Sequence, residues 1–251
     1  MPPPGTAGRI EAHDPIEHQE ADDQFDVLFR QMTPGAFHSQ TEYVQVNGIL
    51  FYREHWAPNV ISTGMTPEGY FIFGGTLSSP SGKSVDWCGV DANREQLAFG
   101  LPASEINIIF PQETWHIALL VPYHLMQHYF GDELIAYTLT SKSYHLQCKP
   151  QQDSNLLARL NHMVSKYQAN PILLTDTLEC NAVELQLMDD LADYFVNFHT
   201  KANHPPSSQR RKLLHRAINY AENLSGKITV PEFALANGMS QRSLELTFQE
   251  T

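Results

Sequence analysis

Between Phe25 and Lys149 the chain carries six histidines, His38, His55, His116, His124, His128 and His145, whose ring nitrogens suit metal ligation or proton transfer. A metal centre needs them clustered, commonly as an H-x-H pair with a Glu and a later His, and no H-x-H pair is present. "HLMQH" sets His124 and His128 one helical turn apart, a spacing that either chelates a metal or presents two imidazoles to solvent, and it lacks the adjacent Glu of an HExxH site. His55 has no spaced partner. "FGGTLSSPSGKS" contains a GKS, but its glycine spacing is wrong for a phosphate loop and it reads as a hairpin loop. No nucleophile elbow or reactive-cysteine context is visible. Cys88, Cys148 and Cys180 are far apart and odd in number, which favours reduced thiols over disulfides or a zinc site. These residues support no catalytic assignment, metal or cofactor, and a non-enzyme is expected.

A second set of chemistry-bearing side chains lies in the closing stretch, "ITVPEFALANGMSQRSLELTFQET". Thr229-Val230-Pro231-Glu232 reads as a capping box, with Pro231 in the first turn where its missing N–H costs nothing. A short helix follows, then Asn237-Gly238, a pair that takes a left-handed turn cheaply. Ser240 caps a second helix whose Leu244 and Phe248 share a buried face. Gln241, Arg242, Ser243, Glu245 and Thr247 are left on the outer face. Ala234, Gly238 and Leu244 let the two helices cross closely, which is helix-turn-helix geometry, and the second helix would enter a major groove. An ordinary helical hairpin with a polar face has the same periodicity.

Charge separates the two ends. The 251 residues have a formal charge of −12, unlike most nucleic-acid binders. Yet Pro206 to Thr251 holds six basic residues (Arg210, Arg211, Lys212, Arg216, Lys227, Arg242) against four acidic, while the remainder holds 10 against 24. Arg210, Arg211, Lys212 and Lys227 are placed to meet phosphates, which gives affinity without sequence choice.

The segment from Leu213 to Phe248 resembles the first helix-turn-helix of the AraC family of transcription regulators. The resemblance rests on "RAINYAENLSGKITVPEFALANGMSQRSLELTF", in which Ala234, Gly238, Ser240, Arg242, Leu244 and Phe248 fall on the family's pattern. Leu246 departs from it, standing where the family often has a basic residue. Such regulators carry a second helix-turn-helix, so the resemblance implies that this chain holds the first half of a DNA-binding domain and binds DNA weakly by itself. It also implies a cupin-like sensor domain and linker helices in front.

The elements that would position these residues divide into four stretches. Residues 1–22, rich in Pro, Gly, Glu and His, read as a disordered tail. Residues 23–150 are mostly strand: "EYVQVNGILFYRE" predicts a hairpin about Asn47-Gly48, and "GYFIFGGTL", "SVDWCGV" and "EINIIFPQETWHIALLVP" continue the series. An antiparallel barrel or sandwich is expected, in which Trp56, Tyr70, Phe73, Trp87 and Trp115 either line an effector cavity or fill the core. Residues 151–203 turn helical, and the helix predicted over 182–198 has an apolar surface broader than one core contact needs, which suggests a homodimer. Residues 204–251 hold the partial DNA-binding domain.

The sequence thus predicts an α+β chain, an antiparallel cupin-like β-barrel followed by linker helices and a helix-turn-helix, acting in the cytoplasm with DNA, a second copy and an unidentified small effector as partners. No stretch of 18 apolar residues suggests a membrane span. Two other readings remain: a cupin-type metalloenzyme, or a truncated dimerisation module that does not bind DNA alone.

Overall fold

The computed structural model describes residues 2–21, 25–93, 96–140, 145–147, 156–198, 229–230 and 233. The chain divides into two compact units, Met1–Ala202 and Asn203–Thr251.

The first unit opens with β1 (Thr6–Ala12), α1 (Pro15–Ala21) and β2 (Asp26–Gln31). A hairpin of β3 (Ser39–Val46) and β4 (Ile49–Trp56) follows, then β5 (Val60–Met65), β6 (Tyr70–Ser78), β7 (Val85–Trp87), β8 (Asp91–Ala92) and β9 (Gln96–Gly100). β10 (Glu105–Phe110) and β11 (Thr114–Pro122) precede α2 (Tyr123–Thr140), which is broken at Gly131. β12 (His145–Gln147), α3 (Leu156–Ala169), a 3-10 turn (Pro171–Thr175) and α4 (Thr177–Phe198) complete it.

The strands form two antiparallel sheets, one of seven in the order β1-β3-β4-β11-β6-β9-β12 and one of five in the order β2-β5-β10-β7-β8. The expected closed barrel is therefore replaced by two sheets, and the reason lies in the larger one. Its strands alternate between two apolar faces. Leu50, Tyr52, Trp56, Ile72, Ala98, Ala118 and Leu120 pack with Val60, Val85, Trp87, Ile108 and Phe110 of the smaller sheet. Ile49, Phe51, Phe73, Phe99, Ile117 and Leu119 pack instead with Leu156, Leu160, Val164 and Leu187 of the helices. A sheet buried on both faces is the middle of three layers, and it is held by helices on one side as firmly as by strands on the other.

The β3–β4 hairpin has the predicted turn. Val46 pairs with Ile49, and Asn47 and Gly48 both have positive φ, 48° and 85°. These are the values a two-residue turn of this hand requires.

Two expectations are corrected. The first 22 residues are not all tail: β1 pairs with β3 from Thr6↔Gln45 to Ala12↔Ser39, and α1 buries His18. Only Ala12 of β1 is buried, so its ordering comes from backbone pairing with a free sheet edge, which hydropathy does not reveal. The helix expected over 182–198 begins at Thr177, where Asp176 Oδ1 accepts from the Leu178 N–H at 2.9 Å. Among the described residues no helix is long and apolar enough to cross a membrane.

In the second unit Thr229, Val230 and Phe233 are described. Helix starts at Val230, and the Phe233 N–H donates to the Thr229 carbonyl at 2.9 Å, a first helical turn where the capping box predicted one. The rest of the predicted helix-turn-helix lies outside the described residues: Ala234, Gly238, Ser240, Gln241, Arg242, Ser243, Leu244, Glu245, Thr247 and Phe248, and the phosphate candidates Arg210, Arg211, Lys212 and Lys227.

Candidate functional site

The five aromatics proposed for an effector cavity do not share one. Trp56 and Trp87 are fully buried between the sheets. Phe73 lies on the opposite face of the same sheet, against Phe99 and the helices. Tyr70 lines a separate surface hollow of about 480 Å³ with Asp26, Thr66 and Glu68. Trp115 is half-buried on the helix-facing side. Strand alternation is the cause, since residues an odd number apart on one strand point to opposite faces.

The space between the sheets is filled by rings. His18 packs on Trp56 (centroids 4.5 Å apart), Trp56 on Phe110 (5.2 Å), Phe110 on His116 (5.3 Å) and His116 near Trp87 (6.1 Å). Glu54 is 5% exposed in this packing. The Thr41 hydroxyl donates to it at 3.3 Å, while His18 Nε2 and His116 Nδ1 each stand 3.9 Å from a carboxylate oxygen, too far for a hydrogen bond. His18 Nδ1 is bonded to the Ser39 hydroxyl (2.9 Å). Burial holds the His18 imidazole below the usual histidine range, and the Glu54 charge opposes this only in part. His18 Nε2, both His116 ring nitrogens and the Trp56 and Trp87 indole N–H groups are buried without a hydrogen-bond partner among the described residues. The void beside His18, Thr41 and Glu54 measures about 10 Å³, room for one water at most.

The roomier site lies on the other face of the larger sheet. A cleft of about 360 Å³ opens between that sheet and α3, lined by Arg53, Leu77, Ser78, Trp115, Ala158 and Asn161. Arg53 is its fixed centre. Its Nε and Nη2 both reach Glu42 Oε2 (2.6 and 2.5 Å), and its Nη1 donates to Asn161 Oδ1 (2.6 Å) and Ser165 Oγ (3.0 Å) of α3. Its Cζ lies 5.6 Å from the centre of the Trp115 ring. His55 stacks at 5.0 Å on Trp115 and is bonded to Glu113 (3.2 Å). Sequence reasoning missed Arg53 and Asn161, which lie 108 positions apart. The one signal was an Arg on the apolar side of a predicted strand, which must find a partner.

α4 presents a third feature. Val183, Leu187, Met188 and Leu191 are buried in the core. Polar ties fix the same docking: Asn47 Nδ2 donates to Glu184 Oε2 (2.9 Å), and Arg159 of α3 pairs with Asp190 (2.6 Å). Leu178 and Leu185 remain 78% and 53% exposed. Ala182 is exposed as well and Ala192 half-buried, so that 178, 182, 185 and 192 make one stripe at coiled-coil spacing. His124 and His128 are exposed on α2. Among the described residues no three His, Cys, Asp or Glu side chains are grouped to hold a metal ion.

No family model matches the chain. No curated protein matches it either. Among solved structures, the AraC-like transcriptional activator CuxR aligns over 96% of this chain and 89% of its own, at a TM-score of 0.52 and 15% identity. The chain shares the fold of that solved structure. ToxT from Vibrio cholerae O395 aligns over 92% of this chain and 94% of its own at 12% identity, with a TM-score of only 0.23. An oxalate decarboxylase aligns over 55% of this chain and 39% of its own at 10% identity and a TM-score of 0.24. Neither of these two bears on the argument.

Proposed function

We propose that this chain is a transcription regulator of the AraC type, in which the two-sheet unit receives a small effector, α4 joins two copies, and the C-terminal segment binds DNA. The reading is carried by the agreement of two independent observations. A fold likeness to an AraC-like activator extends over 96% of the chain, and the closing segment bears that family's helix-turn-helix pattern. In this reading Gln241, Arg242, Ser243 and Glu245 face base edges, with Ser240 and Thr247 beside them. Arg210, Arg211, Lys212 and Lys227 meet phosphates. Behind Pro206 six basic residues face four acidic ones, so this segment, and not the acidic remainder, is the one suited to DNA.

The test is selection from a pool of random duplexes by the full chain at low salt. Recovery of a common sequence motif, with the preference relaxed by Arg242→Ala, supports the proposal. A pool that stays random after repeated rounds, or a motif unchanged by Arg242→Ala, rejects it.

A further inference from the structure

We infer that the cleft between the larger sheet and α3 is a binding site for a small aromatic carboxylate. The inference rests on the regulator reading only in calling that ligand an effector; the site itself is argued from its own geometry. The void beside His18, Thr41 and Glu54, at about 10 Å³, is too small for such a ligand. The outer cleft offers about 360 Å³, within the range of small-molecule sites.

The lining specifies the chemistry. A guanidinium carries five N–H donors, and four of those on Arg53 are used by Glu42, Asn161 and Ser165. One Nη2 hydrogen has no partner among the described residues. Asn161 spends its oxygen on Arg53, which turns its NH₂ group the other way as a donor. The two side chains are neighbours, joined at 2.6 Å through the Asn161 oxygen, and both line the cleft. A cationic donor with a neutral amide donor near it suits an anionic oxygen ligand such as a carboxylate. Beside them the Trp115 ring, 5.6 Å from the guanidinium, and the side chains of Leu77 and Ala158 form apolar walls for a flat ring. The acid closest to the guanidinium is Glu42, and it is already paired, with Arg53 and with Arg9 at 3.8 Å. Arg53 is held in place before the ligand arrives, since Glu42 clamps it from β3 and Ser165 from α3. An occupant would touch the sheet and α3 together.

The experiment is calorimetric titration of the full chain, without DNA, with benzoate, benzamide and acetate as probes, accompanied by Trp fluorescence. Benzoate is expected to bind saturably with one site per chain. Benzamide, which lacks the charge, and acetate, which lacks the ring, are expected to bind at least about tenfold more weakly. Asn161→Leu should weaken benzoate by about tenfold or more. Ala158→Phe, an exposed position on α3, should block the cleft while leaving Arg53 and its bonds in place. Absence of saturable benzoate binding overturns the inference, as does binding that survives both variants in chains with wild-type circular dichroism. Since no DNA is present, neither outcome bears on the regulator reading.

Discussion

His18 is a buried base with a measurable consequence. It is 1% exposed, inserted from α1 between Trp56, Phe29 and Glu54, and burial keeps its pKa below the ordinary value. The unfolded chain therefore binds a proton near pH 6.5 that the folded chain refuses. Stability from this group is complete above the ordinary histidine pKa and is lost as the pH falls through and below it. Urea midpoints measured from pH 8 to pH 5 should fall more steeply for the wild type than for His18→Asn; parallel curves would show that folding does not lower the affinity of His18 for a proton. Gly74 gives a second test at this scale. A Cβ built there meets His116 Nε2 at 2.8 Å and Trp87 Cζ3 at 3.1 Å, both in a packed interior. Gly74→Ala should cost about 1–3 kcal/mol, as overpacking does, and a neutral result in thermal unfolding would mean that the rings yield freely. Neither residue was legible beforehand. His18 lies in a stretch whose composition reads as tail, and its burial depends on Phe29 of β2, Ser39 of β3 and Trp56 and Glu54 of β4, farther along the chain. Gly74 reads as an ordinary strand-bounding glycine until His116 is placed opposite.

Elements were legible where their cause is local. The β3–β4 hairpin followed from Asn47-Gly48 and the apolar runs beside it, and the buried stripe of α3 from its helical period. Those that depend on distant partners were misjudged: β1 is defined by β3, and the second buried face of the larger sheet by the helices that follow the strands. α4 is the instructive case. Its apolar surface is broader than one stripe, and the sequence does not tell which part faces the core. The fold assigns Leu187 and Leu191 to the core and leaves Leu178 and Leu185 outside. The dimer proposal therefore rests on Leu178 and Leu185. Leu178→Glu with Leu185→Glu should produce a monomer by sedimentation with little change in unfolding temperature, whereas Leu187→Ala should lose about 2–5 kcal/mol of stability. A wild type already monomeric at high micromolar concentration would remove α4 as an interface.

At the scale of the molecule, an acidic chain that binds DNA must keep its charges apart. The front of this one carries 24 acidic residues, and the segment behind Pro206 carries six of the 16 basic ones. Binding through so few cations releases few counterions, so affinity should fall with salt along a shallow line whose slope counts the phosphate contacts. The two kinds of basic residue then separate. Lys212, proposed to meet a phosphate, should on replacement by Ala weaken all duplexes alike and reduce the salt slope by about one. Arg242, proposed to meet a base, should on replacement lose about 1–3 kcal/mol of discrimination between the selected duplex and a random one. Anisotropy titrations of both duplexes at four salt concentrations distinguish the roles. If Lys212→Ala and Arg242→Ala lower affinity equally for both duplexes, the closing segment attracts DNA by charge alone and reads no sequence. If neither lowers it, the basic segment is not the DNA-binding surface, and the helix-turn-helix pattern belongs to a hairpin with another use.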